Sequence, residues 1–547
     1  MAKQSDITQP VDLAGHARGT GHLRAERPVY MDFMPPCNSA CPAGENIQAW
    51  LDHAQAGDYK AAFYTIMQDN PFPAVMGRVC VKPCETGCNR NHIDTTVNIH
   101  AVERYIGDLA IAEKWPAAER KAFKTGKRIM VVGAGPGGLT AAYHLTLLGH
   151  EVEIFEEDDA PGGLLRWGVP EYRLPRQMLM AEIDRILALG IRLQVNYKIF
   201  DLINEKESRG FDAIYLSSGA HKIAAPVNCE NQNFPVLDAM EFLKKVHAKK
   251  QVDFGEKVVV YGGNKLAMHI ARVLKRLGFT PVVLYEGDRK TMQARDFEAD
   301  DALDEGVEIS FLHRITAVSG NTIRVEKMQL LKNKTEPTGE ILEIEAGGLI
   351  WASRQEADDS LYENLEGVVT KPGGGIVIDA SRMSGYAGIF AGGDMLPGEQ
   401  KSSTTAIGHG KKAAKNIDAW LRGQTFEKLP KHPTAGYKRL HMWYQTEAPV
   451  SVQPRQHPLK ASRNFDEVVA GISESDARYE AQRCLSCGNC FECDGCYGAC
   501  PVEAIIKLGK GNRYKINYET CTGCGICVEQ CPCHAMEMIA EPLNGSI

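Results

Sequence analysis

The alternation of apolar and polar positions changes character at Arg128, where a strongly apolar segment begins. Residues 128–157, RIMVVGAGPGGLTAAYHLTLLGHEVEIFEE, predict a buried strand, a glycine turn, an amphipathic helix and a second strand that ends in acidic residues. Residues 257–288, KVVVYGGNKLAMHIARVLKRLGFTPVVLYEGD, repeat that order. Strands that alternate with helices are typical of parallel sheets covered by helices, so the pattern predicts an α/β fold with two Rossmann-like units.

The segments on either side of these units have other patterns. Between Ile47 and Met67 the apolar residues recur at helical spacing, which predicts a small helical domain. The strand-like segments VEISF, AVSGNTIRVEKMQL and GLIWA follow the second unit, and GIFAGGDMLPGEQKSSTTAIGHGKKAAKNI comes next. Residues 1–36 are polar and are expected to form a mobile or wrapping arm. Residues 426–480 are rich in proline, histidine and charge, and are expected to form an extended, flexible connector.

Composition and charge exclude several classes of protein. The 44% hydrophobic and 24% charged residues are typical of globular domains. The net charge of −7 argues against general nucleic-acid binding, which needs a basic face. No run of about 18 apolar residues is present, so no membrane span is expected. The N-terminus lacks the apolar core of a secretory signal, and we expect a cytoplasmic protein.

Cysteine is the most informative residue type. The chain has 17 cysteines; five lie in residues 37–88, eleven in residues 484–533, and only Cys229 lies between. Disulfides rarely persist in the cytosol, so two dense groups of cysteines in a long chain indicate metal binding.

The first Rossmann-like unit carries a dinucleotide fingerprint. Gly133, Gly135 and Gly138 follow a predicted strand and open a helix, and Glu156 closes the next strand. Such glycines allow a tight turn and a close approach of the backbone to a pyrophosphate at the helix N-terminus, and the acid accepts hydrogen bonds from the ribose. An ordinary tight strand–helix turn is the alternative, which the complete context of strand, helix and acid argues against.

Two further segments belong with this unit. GGLLRWGVPEYRLP, residues 162–175, follows the second strand, and IFAGGD, residues 389–394, precedes AIGHG, residues 406–410. In this order the motifs resemble the small subunit of glutamate synthase and its relatives, including the N-terminal half of dihydropyrimidine dehydrogenase, over roughly residues 37–425. The resemblance implies FAD at the first unit. The further FAD contacts that it implies are Gly163, Leu164, Arg173, Gly393, Asp394, Ala406 and Ile407.

The resemblance also assigns a role to Asp394. This carboxylate would bind the FAD ribityl chain, and the helix after it would aim its N-terminus at the isoalloxazine; the alternative is a simple turn residue after a strand. No Cys-x-x-Cys occurs between residues 89 and 483, so a flavin here has no disulfide to reduce. That argues against a role like that of thioredoxin reductase.

The second unit is degenerate where it would hold a nicotinamide coenzyme. Gly262 and Ala267 suit the first and third fingerprint positions, with Gly263 after the first, but Asn264 occupies the second, where a side chain crowds a pyrophosphate. Asparagine tolerates unusual backbone angles better than most residues, so we expect a weakened site. The alternative is that this unit has lost its nucleotide and is structural only.

The end of the next strand predicts the coenzyme. Relatives that use NADPH place arginines there for the 2′-phosphate, whereas this chain has Glu286, 24 residues beyond Gly262. A carboxylate hydrogen-bonds a free 2′-hydroxyl and repels a phosphate. We therefore expect NAD(H) to be preferred over NADP(H). Since a flavin supplies the hydride chemistry, no protein residue is predicted to be catalytic.

Two complete bacterial-ferredoxin runs, each ending in Cys-Pro, lie near the C-terminus. In such runs the fourth cysteine ligates the other cluster, and zinc is an alternative that the doubled pattern argues against. One predicted [4Fe–4S] ligand set is Cys490, Cys493, Cys496 and Cys531. The other is Cys521, Cys524, Cys527 and Cys500.

The five N-terminal cysteines match the two-cluster domain of the resembled family incompletely, because an Arg-Cys-x-x-Cys pair that relatives carry ahead of the first motif is missing. Arg483-Cys484-Leu-Ser-Cys487 stands instead just before the ferredoxin runs. We hypothesise that Cys484 and Cys487 fold back to complete a cluster with Cys37 and Cys88. A second cluster would then use Cys41, Cys80 and Cys84.

In relatives one N-terminal cluster takes a side-chain carboxylate or amide as its last ligand, and Glu103 lies where that residue falls. Fifteen cysteines and Glu103 are enough for four [4Fe–4S] clusters, which leaves Cys229 and Cys533 as ordinary buried cysteines. The alternative gives the N-terminal domain a single cluster, with Cys484 and Cys487 spare.

The predicted fold is therefore α/β, with two interleaved Rossmann-like domains for FAD and NAD, an N-terminal helical Fe–S domain and a C-terminal bacterial-type ferredoxin domain. The expected divisions are an arm (1–36), the helical Fe–S domain (37–120), a first FAD-domain segment (121–250), the NAD(H) domain (251–370), a second FAD-domain segment (371–425), a connector (426–480) and the ferredoxin-like domain (481–547).

Such an assembly couples hydride transfer to single-electron transfer. We expect an FAD-dependent NAD(P)H oxidoreductase that serves as the electron-transfer subunit of a complex with a 2-oxoacid or aldehyde oxidoreductase. The extra ferredoxin domain resembles the NAD-reducing electron-transfer subunits of phenylglyoxylate-type 2-oxoacid dehydrogenases. The alternatives are a free-standing NAD(P)H:ferredoxin oxidoreductase, a glutamate synthase small subunit, and a non-enzymatic cluster-bearing scaffold.

Overall fold

Two five-stranded parallel sheets form the centre of the molecule. The computed structural model describes residues 24–118, 123–223, 234–332, 334–428 and 430–542. The two sheets and their covering helices confirm the predicted α/β class with two Rossmann-like units.

The first sheet contains the strand that begins at Arg128, which is buried over most of its length because both faces are covered. In spatial order its strands are Ile389–Ala391, Ala213–Leu216, Arg128–Val132, Glu151–Phe155 and Arg192–Gln194. Neighbouring strands are parallel throughout. The helices of this unit are Pro136–Leu147, Leu164–Trp167, Arg176–Leu187, Leu202–Arg209 and Ser403–Leu421.

The second sheet belongs to the second glycine turn and is also parallel. In spatial order its strands are Glu308–Phe311, Thr280–Tyr285, Lys257–Tyr261, Gly348–Trp351 and Val236–Asp238. Its helices are Ala239–His247, Lys265–Arg276 and Asp296–Asp304. An antiparallel sheet of His313–Ser319, Thr322–Leu331 and Lys334–Glu345 extends from this unit.

Both crossovers between the units fall earlier in the chain than residues 250/251 and 370/371. Val236–Asp238 pairs with Gly348–Trp351 in the second sheet, and the helix after it packs into that unit's core. Ala357 and Tyr362 already pack under the first sheet. The divisions predicted from sequence are corrected accordingly. A three-residue strand carries too little alternation to reveal which sheet it joins.

Short antiparallel pairs lie beside these crossovers. They are Lys222–Ile223 with Gln355–Glu356, and Thr370–Lys371 with Gly375–Ile376.

The N-terminal domain is helical, as predicted. The apolar residues that recur at helical spacing are buried, namely Ile47, Trp50, Leu51, Phe63, Ile66 and Met67. A turn around Gly57 divides that segment into two helices. The helices of the domain are Pro36–Ala40, Ile47–Gln55, Tyr59–Met67, Pro73–Val79, Pro83–Thr86 and Ile99–Ala112, with a 3-10 turn at Asn89–His92. The later helix Glu474–Gln482 also packs on this domain, so the chain returns to it after the connector.

The ferredoxin-like domain is small and includes a contribution from the arm. Its elements are the helices Gly495–Ala499 and Ile526–Glu529 and the strands Ile505–Lys507, Tyr514–Ile516 and Met536–Ala540. The arm strand Glu26–Tyr30 pairs antiparallel with Met536–Ala540. Of the two expectations for the arm, mobile or wrapping, this portion therefore follows the second. Residues 1–23 lie outside the described residues.

The connector is extended, with short turns at Tyr437–Arg439 and Pro458–Ala461. It contacts other parts of the protein at several of its described residues. Asn89 donates a hydrogen bond to the carbonyl of Ala435, and Arg455 forms a 2.5 Å ion pair with Asp301 of the second unit. Flexibility of this connector stays a prediction. Among the described residues, no helix is long and apolar enough to cross a membrane.

Candidate functional site

The first glycine turn has the geometry of a dinucleotide cradle. Gly133 has φ +97°, and a Cβ there would lie 2.5 Å from the carbonyl oxygen of Ser217. A Cβ on Gly138 would lie 1.9 Å from the carbonyl oxygen of Gly133. A Cβ on Gly135 would meet no atom within 4 Å, and Gly135 lines a cavity. A side chain there would therefore occupy the ligand's space. These three positions match the roles of fingerprint glycines, and the turn fits the pyrophosphate of FAD.

Glu156 lies at the edge of the same cavity, at the end of its strand. Its carboxylate accepts hydrogen bonds from the backbone N–H groups of Ala134 (2.7 Å) and Asp158 (3.0 Å). Burial raises the pKa of Glu156, and the two hydrogen bonds oppose that rise. The acid is thus held against the glycine turn, and its contact with a ribose stays a prediction.

The lining of the cavity also contains predicted flavin residues of the third motif. Gly393, Asp394 and Ala406 all line it. Burial raises the pKa of Asp394, while Lys265 and Lys401 lower it. The cavity measures about 1180 Å³ and is lined by both Rossmann-like units, so it is large enough for a dinucleotide and a second ligand.

The other predicted flavin residues differ in their surroundings. Gly163 and Leu164 line the cavity. Ile407 is fully buried in the apolar core behind it. Arg173 reaches into the second unit, where its Nη1 donates to Glu298 Oε1 (3.0 Å) and contacts His269 Nε2 (3.1 Å). Glu298 and His269 line the cavity, so Arg173 contacts two residues of the cavity wall.

The second glycine turn is built differently from the expected weakened fingerprint. Asn264 has φ −103°, so its tolerance of unusual backbone angles is not used. Its Oδ1 accepts from the N–H of Ala267 (3.0 Å), and its Nδ2 donates to the carbonyls of Ala352 and Ser353 (2.9 Å each). Asn264 is therefore an N-cap that also ties the helix to the neighbouring strand.

Three predicted coenzyme residues, all within the described ranges, lie outside the cavity lining. Gly262 has φ +153° and abuts the carbonyl of Ala352. Gly263 lies beneath the ring of Tyr285, whose Cδ2 would be 2.4 Å from an added Cβ. Glu286 hydrogen-bonds the hydroxyl of Tyr261, and burial together with this carboxylate raises the pKa of that phenol. Coenzyme contact by these residues stays a prediction.

One group of N-terminal ligands lies directly beside the cavity. Burial raises the pKa of Cys84, and the neighbouring acidic groups of Glu85, Cys80, Cys41 and Glu103 raise it further. The hydroxyl of Thr404 donates to the Sγ of Cys80 (3.1 Å). Val81, the next residue, lines the cavity. The structure thus brings together the four side chains predicted for one cluster.

The second N-terminal group includes the two cysteines that follow the connector. Burial raises the pKa of Cys37, and Cys484, Cys88 and Cys487 raise it further. Asn89 donates from Nδ2 to the Sγ of Cys487 (3.3 Å). The chain therefore brings Cys484 and Cys487 near Cys37 and Cys88, and their completion of one cluster stays a hypothesis.

The ferredoxin-like domain brings its cysteines together in the crossed pattern. Burial raises the pKa of Cys496, and its thiol neighbours Cys490, Cys531 and Cys493 contribute. The second set, Cys500, Cys521, Cys524 and Cys527, lines one small cleft with Pro28.

Within the described ranges, no three His, Cys, Asp or Glu side chains converge closely enough for a single metal ion. Cys533 is buried with its Sγ 3.8 Å from that of Cys531, and Cys229 lies outside the described residues.

Two contacts were missed by sequence reasoning. Thr404 belongs to the quoted KSSTTAIGHG segment, but nothing in that pattern points to a distant cysteine. Asn70 is fully buried and donates from Nδ2 to both Glu103 Oε1 (2.9 Å) and Glu45 Oε1 (3.0 Å). No sequence signal identifies Asn70, because its partners lie 25 or more residues away.

A dinucleotide cradle joined to grouped thiols defines an FAD-dependent, iron–sulfur oxidoreductase, and the comparisons with known proteins agree. Residues 127–410 match the family described as pyridine nucleotide-disulphide oxidoreductase, and the chain belongs to that family. Residues 20–115 match the 4Fe-4S cluster domain II of dihydropyrimidine dehydrogenase, and residues 514–537 match a 4Fe-4S binding domain. The suspected resemblance is confirmed.

Several curated proteins are similar over most of the chain. The NADP(+)-dependent formate dehydrogenase subunit beta of Moorella thermoacetica is 31% identical over 527 residues, covering 87% of this chain and 74% of the relative. The NADPH glutamate synthase small chain of Mycobacterium tuberculosis is 29% identical, with 76% and 91% covered. The NAD-dependent dihydropyrimidine dehydrogenase subunit PreT of Escherichia coli is 29% identical, with 71% and 91% covered.

Among solved structures, FprA from Mycobacterium tuberculosis is similar with a TM-score of 0.47 at 16% identity, covering 56% of this chain and 88% of that one. Thioredoxin reductase from T. acidophilum has a TM-score of 0.44 at 16% identity, covering 54% and 98%.

Proposed function

We propose that this chain is a cytoplasmic, NAD(H)-handling electron-transfer subunit of a larger redox complex. It exchanges hydride with NAD through FAD and single electrons with a 2-oxoacid or aldehyde oxidoreductase through [4Fe–4S] clusters. When bound, FAD accepts two electrons as a hydride and releases them one at a time.

The contact between Thr404 and Cys80 carries this proposal. Thr404 stands in the first turn of the helix Ser403–Leu421, whose N-terminal residues line the cavity. Cys80 belongs to the thiol group nearest that helix, and its Sγ is 3.1 Å from the Thr404 hydroxyl. A cluster held by Cys41, Cys80, Cys84 and Glu103 would therefore adjoin a flavin without any intervening domain.

The order of the thiol groups supports a path that leads away from the cavity. Cys84 and Cys88 lie four residues apart in different groups. The group with Cys487 then borders the ferredoxin-like domain, because the N–H of Gly488 donates to the carbonyl of Cys533 (2.7 Å). The two crossed cysteine sets of the ferredoxin-like domain come next along this path. This order of thiol groups suits electron transfer between a flavin at one end and a partner protein at the other.

We propose four clusters. The support is the grouping of Cys484 and Cys487 with Cys37 and Cys88. Iron analysis of anaerobically purified protein tests it, since four iron atoms per cluster give about 16 per chain. A value near 12 would favour a single N-terminal cluster.

We propose a preference for NAD(H). Glu286 follows the second strand of the coenzyme unit, where a carboxylate disfavours a 2′-phosphate. The nearby Arg289 is engaged by Asp296 (3.3 Å) and Asp300 (2.7 Å). Dye reduction with each coenzyme is the test, and a kcat/KM for NADPH equal to that for NADH would contradict the preference.

The partner class rests on resemblance and on the relatives. Several of the similar proteins are themselves named as subunits: of a formate dehydrogenase, of an NADPH-Fe(3+) oxidoreductase and of a dihydropyrimidine dehydrogenase. From the resemblance of the extra ferredoxin domain to NAD-reducing subunits we infer that NAD+ reduction by partner-derived electrons is the working direction.

Anaerobic affinity purification from the native host tests the partner class. Stoichiometric thiamine-diphosphate or tungsten enzyme chains would support it. Recovery of the chain alone, with NADH-dependent ferredoxin reduction intact, would indicate a free-standing oxidoreductase. Binding of FAD without bleaching by NADH would indicate a scaffold.

A further inference from the structure

The turn that carries Asp394 is held by a buried histidine. Gly393 has φ +82°, and its backbone N–H donates to Nδ1 of His409 over 3.1 Å. His409 lies one and a half turns into the helix Ser403–Leu421 and is 2% exposed. A backbone N–H can only donate, so Nδ1 must accept and the imidazole proton must sit on Nε2.

Glu399 fixes that arrangement from the other side of the ring. Its Oε2 lies 2.5 Å from Nε2 of His409, which places a carboxylate acceptor at the protonated nitrogen. Glu399 itself lines the cavity. Burial, and after it the cation of Arg382, holds the pKa of His409 below its ordinary value, which agrees with a neutral ring.

The turn has little freedom to move relative to the helix. A Cβ on Gly392 would lie 2.9 Å from the Cβ of His409 and 2.2 Å from the hydroxyl oxygen of Tyr215. At the next residue of the helix, a Cβ on Gly410 would lie 2.4 Å from the carbonyl oxygen of Gly137 in the first cofactor helix. A shift of the imidazole would therefore also shift Gly393 and Asp394.

We propose that His409, oriented by Glu399, is a positioning residue for FAD: it holds the N–H of Gly393 and so aims the Asp394 carboxylate into the cofactor cavity. The inference rests on the FAD contact expected of Asp394 and is independent of the coenzyme preference and of any partner. Neither the glycine fingerprint nor the third motif assigns a role to His409 or Glu399.

The test is the affinity of the FAD-depleted, full-length protein for FAD, measured by anaerobic equilibrium dialysis without nicotinamide coenzyme. Asn Oδ1 occupies the place of His Nδ1, so His409→Asn keeps the acceptor for Gly393. His409→Gln and His409→Leu remove it and leave a buried N–H without a partner. We expect a Kd within threefold of wild type for His409→Asn. For the other two we expect a Kd at least about tenfold higher, which corresponds to about 1.4 kcal/mol.

A second pair of variants keeps the histidine. Glu399→Gln retains an acceptor oxygen for Nε2–H, whereas Glu399→Leu frees the ring to place its proton on Nδ1, facing Gly393. We expect FAD binding close to wild type for Glu399→Gln and weakened severalfold for Glu399→Leu. This pair decides the question if the His409 variants fail to fold, as judged by circular dichroism and iron content.

Equal FAD affinity in every variant would overturn the proposal. So would a His409→Asn protein as weak as His409→Leu, because the ring's packing rather than its acceptor would then matter. FAD uptake needs neither NAD(H) nor a partner, so a failed coenzyme or partner assignment leaves this result unaffected.

Discussion

The hydroxyl of Thr404 donates a hydrogen bond to the Sγ of Cys80 over 3.1 Å, and this contact joins the cofactor wall to the iron–sulfur domain. Cys80 caps the helix Pro73–Val79, while Thr404 lies in the first turn of the helix Ser403–Leu421. The helix Ser403–Leu421 also approaches the loop that follows Cys41, because Gly408 has no side chain; a Cβ there would lie 2.1 Å from the carbonyl oxygen of Pro42.

Removing this hydrogen bond is expected to lower a cluster potential. Hydrogen bonds to ligand sulfur favour the reduced, more negative cluster. A bond worth about 0.5–1.5 kcal/mol corresponds to roughly 20–60 mV for one electron. Thr404→Val should therefore shift one midpoint potential downward by that amount in an EPR-monitored titration, and Thr404→Ser should not. Identical shifts in both variants would contradict the assignment.

The relocated cysteines can be tested by iron content. Cys484→Ala removes a predicted ligand and should reduce iron from about 16 to about 12 per chain, since each cluster holds four iron atoms. Cys533→Ala is the matched control, because Cys533 is a buried cysteine in the same region of the chain but is not a predicted ligand. Equal iron in the two variants would remove Cys484 from the ligand set.

The preference for NADH over NADPH should change when the charge at Glu286 is reversed. Glu286→Arg replaces a carboxylate that repels a 2′-phosphate by a cation that binds it, so kcat/KM for NADPH relative to NADH should rise about tenfold or more, equivalent to about 1.4 kcal/mol. Glu336→Arg makes the same charge change on the exposed antiparallel sheet. An unchanged coenzyme ratio in Glu286→Arg would show that this position does not contact the coenzyme.

Glu182 joins the helical domain to the first unit. Its fully buried carboxylate accepts from the N–H groups of Ala74 and Val75 (3.0 Å each) at the start of the helix Pro73–Val79. Glu182→Ala leaves both donors buried and unpartnered, which is expected to cost about 2–4 kcal/mol and to lower the Tm by several degrees. A Tm equal to that of wild type would contradict this role.

The same carboxyl group should give a defined pH dependence. Burial raises the pKa of Glu182 from its ordinary 4.5 to about 7. A raised native pKa contributes stability that is present below pH 4.5 and is lost as the pH rises through about 7. The Tm of wild type relative to Glu182→Gln should therefore decrease between pH 5 and pH 8. A constant difference would mean that Glu182 does not titrate in this range.

Much of the fold was predictable because its signals are local. The glycines of the first turn are needed for contacts with Ser217 and with each other, and the same glycines form the motif in the sequence. The crossed ferredoxin sets follow from a fixed spacing. By contrast, Asn264 was expected to weaken a phosphate site and instead caps its helix, because its amide finds the carbonyls of Ala352 and Ser353, about 90 residues away.

The sequence by itself determined which cofactors this chain is built for, since strand, turn, helix and cysteine spacings are set by neighbouring residues. Only the tertiary structure decided how those elements are connected. It placed Thr404 against Cys80 and returned Cys484 and Cys487 to Cys37. It also showed that the domain crossovers fall earlier in the chain and which residues the connector contacts. Contacts of this kind depend on how separate elements pack, and packing between distant segments leaves no periodic signal in any one of them.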